Sequence, residues 1–241
     1  MQHKPLILAL LAGLSLSGAA QATLFDRGGG LIYDSALNIT WLQNANLAAT
    51  DTFGVSGIAT GGYMSWNTAN QWIRAMNSAD YLGYSDWRLP TTAPINGSTF
   101  NSIFSTNGTT DAGYNISAPG TLYAGSTASE MAYLYYNDLG NKGVFDTSGY
   151  PVGVYGVTNA GPFQNLKSSF YWSGTEYAPS SVYAWGFATT YGAQGAGYKV
   201  SSSFALAVRP GDVAAVPEAD TWAMLLAGLG LMGVVARRRR G

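Results

Sequence analysis

Gly83-Tyr84-Ser85-Asp86-Trp87-Arg88-Leu89-Pro90-Thr91 is the stretch on which the reading of this chain turns. It is extended, with Trp87 and Leu89 pointing inward and Asp86 and Arg88 left to find partners, and Pro90 ends it. A partly buried charge persists only when paired. Asp86 and Arg88 can pair with each other or cap nearby backbone. Arg209, on a strand-like run far downstream, needs a carboxylate, and Asp86 or Glu176 is the natural partner. The segment therefore reads as scaffold held by ion pairs.

Working outward, Ser65 is an N-cap for a helix from Trp66 to about Asn77, with Trp66, Ala69, Trp72, Ile73 and Met76 as its apolar stripe. Upstream, Leu31-Ile32-Tyr33 and Ile39-Thr40-Trp41-Leu42 flank Asp34–Asn38 as a hairpin, and Gly28–Gly30 before it form an edge or bulge. Downstream, Thr91–Gly125 is a long, irregular excursion. Thr127-Ala128-Ser129-Glu130 has the pattern of a capping box and opens a second helix that buries Met131, Leu134, Tyr135 and Leu139 and ends at Gly140. Ser169–Ser173, Tyr183–Thr190 and Phe204–Arg209 alternate as strands, with Tyr183, Trp185 and Phe187 on one face and Gly192, Gly195 and Gly197 marking the turn between the last two. Two early helices and a late antiparallel sheet make a single α+β domain.

Composition removes much chemistry. The chain has no cysteine and one histidine, His3, so thiol catalysis, cysteine zinc sites and Ser-His-Asp chemistry are excluded from the domain. Between Thr23 and Val216, seven basic residues stand against eleven acidic ones, a net of −4, which offers no basic face to nucleic acid.

The two ends read as targeting. Lys4, the apolar run Pro5–Leu16 and the small-x-small site Ala20-Gln21-Ala22 form a signal peptide over 1–22, with cleavage by signal peptidase before Thr23. At the other end stand Val216-Pro217-Glu218, the 15-residue apolar stretch Trp222–Ala236, and Arg237, Arg238, Arg239 and Arg240. A stretch that short falls below the roughly 20 residues that span a bilayer comfortably, and suits a short transmembrane helix of temporary use. This order resembles the PEP-CTERM sorting signal, with Ala219 in place of the second proline. The resemblance implies an exosortase-type membrane protease as partner, export across the inner membrane, transient anchoring, and delivery to the cell surface or exterior. The domain then spans 23–213 and the tail 214–241.

Three further segments carry a second resemblance. They are Met64-Ser65-Trp66 with Ala69 leading into the opening motif, then Tyr171-Trp172-Ser173-Gly174-Thr175, then Ala184-Trp185 with Ala205–Pro210. Together the domain resembles the Lcl C-terminal domain family, whose members are similar to C-type lectins in fold. The resemblance implies that the N-terminal hairpin pairs with Phe204–Arg209, closing the domain on itself, and that Asp86, Trp87, Arg88, Pro90, Trp172 and Arg209 are structural.

Three site chemistries are open to the domain. Asn137, Asp138, Asn141 and Asp146 offer oxygen ligands for calcium, although no recognised calcium loop is present, so no cofactor is assigned. Tyr177, Tyr183, Tyr191 and Tyr198 sit in or beside Gly- and Ser-rich loops, where they either stack on sugar rings or cover the sheet. Glu130 with Asp138, or Asp86 with Glu176, are carboxylate pairs of the kind that hydrolyse glycosides, but nothing fixes their separation. The expected function is a non-enzymatic exported matrix or adhesion protein, associated with exopolysaccharide or biofilm and binding carbohydrate. The alternatives are a purely structural surface protein and a glycan-active enzyme.

Overall fold

Leu31–Asp34 (β2) and Ile39–Leu42 (β3) form the expected antiparallel hairpin, in the register Leu31↔Leu42 through Asp34↔Ile39. The computed structural model describes residues 23–213. The expected signal peptide over 1–22 and the expected tail over 214–241, with its sorting residues and short apolar helix, lie outside the described residues. Among the described residues no helix is long and apolar enough to cross a membrane.

Gly28–Gly30 turn the chain from a strand the sequence did not announce, Leu24–Gly28 (β1), into β2. All three glycines have φ between +61° and +87°, a region that L side chains rarely adopt. Val208–Pro210 (β9) pairs antiparallel with β3, so the first sheet runs β1-β2-β3-β9 and the C-terminal strand closes onto the N-terminal hairpin. Arg27 makes bonds of 2.8 and 2.6 Å to Asp212 across that closure.

The helix Trp66–Ser78 (α1) starts at Ser65, whose hydroxyl accepts from Thr68 N, and buries Ala69, Trp72, Ile73 and Met76. The excursion after Pro90 is less irregular than its composition suggests. It contributes the short strands Phe104–Ser105 (β4) and Ala112–Tyr114 (β5), and buried Asp111 anchors it by accepting from Ile95 N and Asn101 N, each at 2.6 Å. The second helix opens at Ser129 rather than Thr127. Its hydroxyl accepts from Ala132 N, and Glu130–Tyr133 (α2) widens into a π-helical segment, Leu134–Asp138, before Gly140 at φ +62°. Met131, Leu134, Tyr135 and Leu139 are buried as expected.

A second sheet runs β4-β5-β8-β7-β6, where β6 is Phe170–Glu176, β7 is Tyr183–Ala188 and β8 is Ala193–Tyr198. Gly195 and Gly197 thus lie inside a strand and not in a turn. At Gly197 the reason is close approach, which Gly186 of β7 shares. A Cβ on Gly197 would meet the Trp172 ring at 3.0 Å, and one on Gly186 would meet the Phe170 ring at 2.2 Å. The central strands of both sheets are buried on both faces. Ile32, Trp41, Tyr171 and Phe187 pack toward α2, while Leu31, Leu42, Trp172 and Ala184 pack toward α1. That two-sided burial explains why β2 and β3 read as near-continuous apolar runs.

Candidate functional site

The opening motif lies between these two cores. Trp87 and Leu89 are buried, and Asn77 grips the Trp87 backbone with its amide, donating to Trp87 O at 2.9 Å and accepting from Trp87 N at 2.8 Å. Asp86 and Arg88 do not pair with each other. Arg209 reaches Asp86 with bonds of 2.7 and 2.9 Å and lies over the Tyr84 ring at 4.1 Å. Arg88 instead makes two 2.7 Å bonds to Glu130, which also accepts from Thr91 N at 2.7 Å. Glu130 is therefore a long-range ion-pair partner, and the capping-box reading of its side chain is corrected. Glu176 goes to Lys199 at 2.8 Å. Pro90 O accepts from Ser173 Oγ at 2.9 Å and Gly174 N at 2.8 Å, which binds the motif to β6 beside Trp172. Both charged side chains of the motif are thus paired with distant residues.

Three of the four candidate tyrosines converge at one end of the second sheet. Tyr183 and Tyr198 are directly opposite across β7 and β8, with ring centroids 4.2 Å apart. Tyr177, just past β6, lies 6.1 Å from Tyr183 and 5.2 Å from Trp185. Phe100, from the excursion, stacks on the far side of Trp185 at 5.1 Å. The result is a continuous aromatic row in which Tyr198 is half exposed and Trp185 fully buried. The Tyr183 phenol titrates above its ordinary value, first because of the adjoining Tyr198 phenol and then through burial. Tyr191 does not join the row. It sits past the β7 end that pairs Ala188 with Ala193, five residues along the strand from the Tyr183 end, on the order of 17 Å away. Phe100 was legible in the sequence only as an aromatic in a loop, and its pairing with Trp185 had no local signal.

Six tryptophans are described, and five donate their indole N–H to a named acceptor: Trp41 to Asp34, Trp66 to Ser173 O, Trp72 to Asp51 O, Trp87 to Tyr81 O and Trp172 to Met64 O. Trp185 Nε1 is buried without one.

A second concavity of about 370 Å³ opens between Pro119, Tyr136, Lys142, Phe145, Asp146 and Val152. Its polar lining is largely committed to the backbone. Asn115 donates to the carbonyls of Thr106, Phe145 and Asp146, Asn141 accepts from Thr158 N and Asn159 N, and Tyr136 donates to Gly192 O while burial holds its phenol above the ordinary range.

The calcium candidates are similarly engaged. Asn137 donates to Ser117 O, Asp146 Oδ1 accepts from Ser148 N and Tyr150 N, and Asp138 accepts from the Thr23 hydroxyl. Among the described residues there is no group of three or more His, Cys, Asp or Glu that could hold a metal ion.

Comparison with known proteins adds two matches. Residues 215–240 match the PEP-CTERM protein-sorting motif, which points to an exported protein sorted by exosortase to the surface or exterior. No curated protein and no solved structure gives a significant match to the chain. The Lcl C-terminal domain matches residues 30–209, the hairpin through β9 that the two sheets enclose, and the chain belongs to that family.

Proposed function

We propose that this is a non-enzymatic surface module, delivered through its PEP-CTERM tail, whose Tyr177–Tyr183–Tyr198 row holds an extracellular polysaccharide of the biofilm matrix. The observation that carries this reading is the convergence of three tyrosines, one of them half exposed, at the open end of a rigid sheet. Tyrosine faces pack against sugar C–H groups at small conformational cost, and their hydroxyls bond to sugar hydroxyls. The closure of the N-terminal hairpin by β9 supports the C-type-lectin-like description of the fold. The aromatic row is favoured over the concavity near Phe145, whose side-chain amides are spent on backbone. The carboxylates Asp86, Glu130 and Glu176 are each held by a cation, which suits a scaffold better than a hydrolase. A glycan array probed with the exported protein, with and without calcium, tests the reading. Binding to a defined polysaccharide class is expected. Blank arrays under both conditions overturn it in favour of a purely structural surface protein, and binding only with calcium restores a metal to the site.

A further inference from the structure

Beside the first sheet lie two acids, one fully buried and one partly, that form no ion pair among the described residues. Asp34 is fully buried at the end of β2. Its Oδ1 accepts from Ala36 N and Leu37 N, each at 3.0 Å, and its Oδ2 accepts from Trp41 Nε1 at 3.1 Å. Asp138, at the end of the π-helical segment, is its neighbour, close enough for the two carboxyls to act on each other's charge. Asp138 Oδ1 accepts from the Thr23 hydroxyl, and its Oδ2 is buried with no donor facing it. The groups around the pair are Thr23 ahead of β1, Trp41 on β3 and Tyr133 on α2, all uncharged. Neither aspartate takes part in an ion pair among the described residues. Burial first, then the neighbouring Asp34, push the Asp138 carboxyl up to about 8, so that group keeps its proton at neutral pH.

Thr23 is also where the small-x-small site Ala20-Gln21-Ala22 places the start of the exported chain. Its position is fixed on two sides, by Ser35 N donating to its carbonyl at 2.9 Å and by its hydroxyl on Asp138. Three bonds separate a threonine nitrogen from its own Oγ1, a span of at most about 3.7 Å. With one hydrogen bond added, the Thr23 nitrogen lies within about 6.5 Å of the Asp138 carboxylate.

We propose that Asp34 and Asp138 form the seat of the α-ammonium that cleavage after Ala22 creates on Thr23, so that removal of the leader completes the fold. This rests on the export reading and is independent of the polysaccharide. In the uncleaved chain the Thr23 nitrogen is a neutral amide. After cleavage it carries a positive charge and several donors. The ammonium replaces the proton on Asp138, which is released, so the charge of the ionised Asp138 is balanced by that of the ammonium.

Thermal melting of the chain from Thr23 to Gly241 is compared with that of the same chain retaining Ala20-Gln21-Ala22. At pH 7.5 the form beginning at Thr23 melts higher by about 3–6 °C. The gap narrows as the pH falls through about 4, where the aspartates take up protons in the unfolded chain as well. Asp138→Asn erases the gap at pH 7.5. Independently of any variant, pH-dependent acylation of the Thr23 amine gives a pKa above the ordinary range of about 7.7–8.0. Equal melting at pH 7.5, a gap that survives Asp138→Asn, or an ordinary amine pKa overturns the proposal. An exported chain whose intact mass begins elsewhere than Thr23 overturns it too, and leaves the polysaccharide reading standing.

Discussion

Arg88 and Glu130, 42 residues apart, meet through two parallel 2.7 Å hydrogen bonds that join the central motif to the start of α2. Glu130 spends its remaining capacity on Thr91 N, at 2.7 Å. Its side chain is only 9% exposed, so removing either partner leaves the other charge poorly solvated. Glu130→Ala is expected to destabilise the domain by about 2–4 kcal/mol, read as a lower urea midpoint at unchanged slope. Arg88→Lys recovers little of the pair, because an ammonium cannot reproduce the fork geometry.

Two buried tryptophans of the same size should respond differently to the same change. Trp172 donates to Met64 O at 3.0 Å, whereas Trp185 has no acceptor. Both lose ring volume on replacement by phenylalanine, but only Trp172 also loses a hydrogen bond. Trp172→Phe is expected to cost about 1 kcal/mol more than Trp185→Phe in denaturant unfolding.

The acid pair gives the uncleaved chain a pH dependence of defined sign. Asp138 is raised in the fold, so between its unfolded value near 4 and its folded value of about 8 the folded chain binds more protons than the unfolded one. Stability of the leader-retaining form therefore falls as pH rises through that window, by up to about 1.4 kcal/mol per unit. Asp138→Asn flattens the slope, which melting curves at fixed ionic strength from pH 4.5 to 8 would show.

The sorting motif predicts the fate of the C-terminus. Pro217→Ala is expected to block removal of the tail, so that intact mass finds residues through Gly241 still attached and the protein stays with the membrane fraction. Normal processing of that variant would contradict exosortase recognition.

Much of the fold was legible locally. The Ser65 cap, the apolar stripe of α1 and the β2–β3 hairpin are each written within a few residues, and each appears as read. What escaped depended on distant partners. Strand β8, Ala-Gln-Gly-Ala-Gly-Tyr, looks like a turn because of its glycines, one of which, Gly197, makes room for the Trp172 and Phe170 rings that arrive from β6. Glu130 has capping-box spacing in sequence, yet its charge is drawn to an arginine that only the tertiary fold delivers. Strand β1 is held by the Arg27–Asp212 pair across nearly the whole domain. The aromatic row was legible in part. The Tyr183–Trp185 alternation was visible, but not that Tyr177 and Tyr198 join it while Tyr191 stays apart.

That separation supplies the most direct test of the account. Co-sedimentation of the exported protein with the polysaccharide identified on the array is measured for wild type, Tyr198→Ala and Tyr191→Ala. Loss of one stacking ring is expected to weaken binding by roughly tenfold, equivalent to about 1.4 kcal/mol, for Tyr198→Ala. Tyr191→Ala should bind like wild type. Equal binding by Tyr198→Ala and wild type, or a loss confined to Tyr191→Ala, would contradict the assignment of the sheet-end tyrosines as the glycan site.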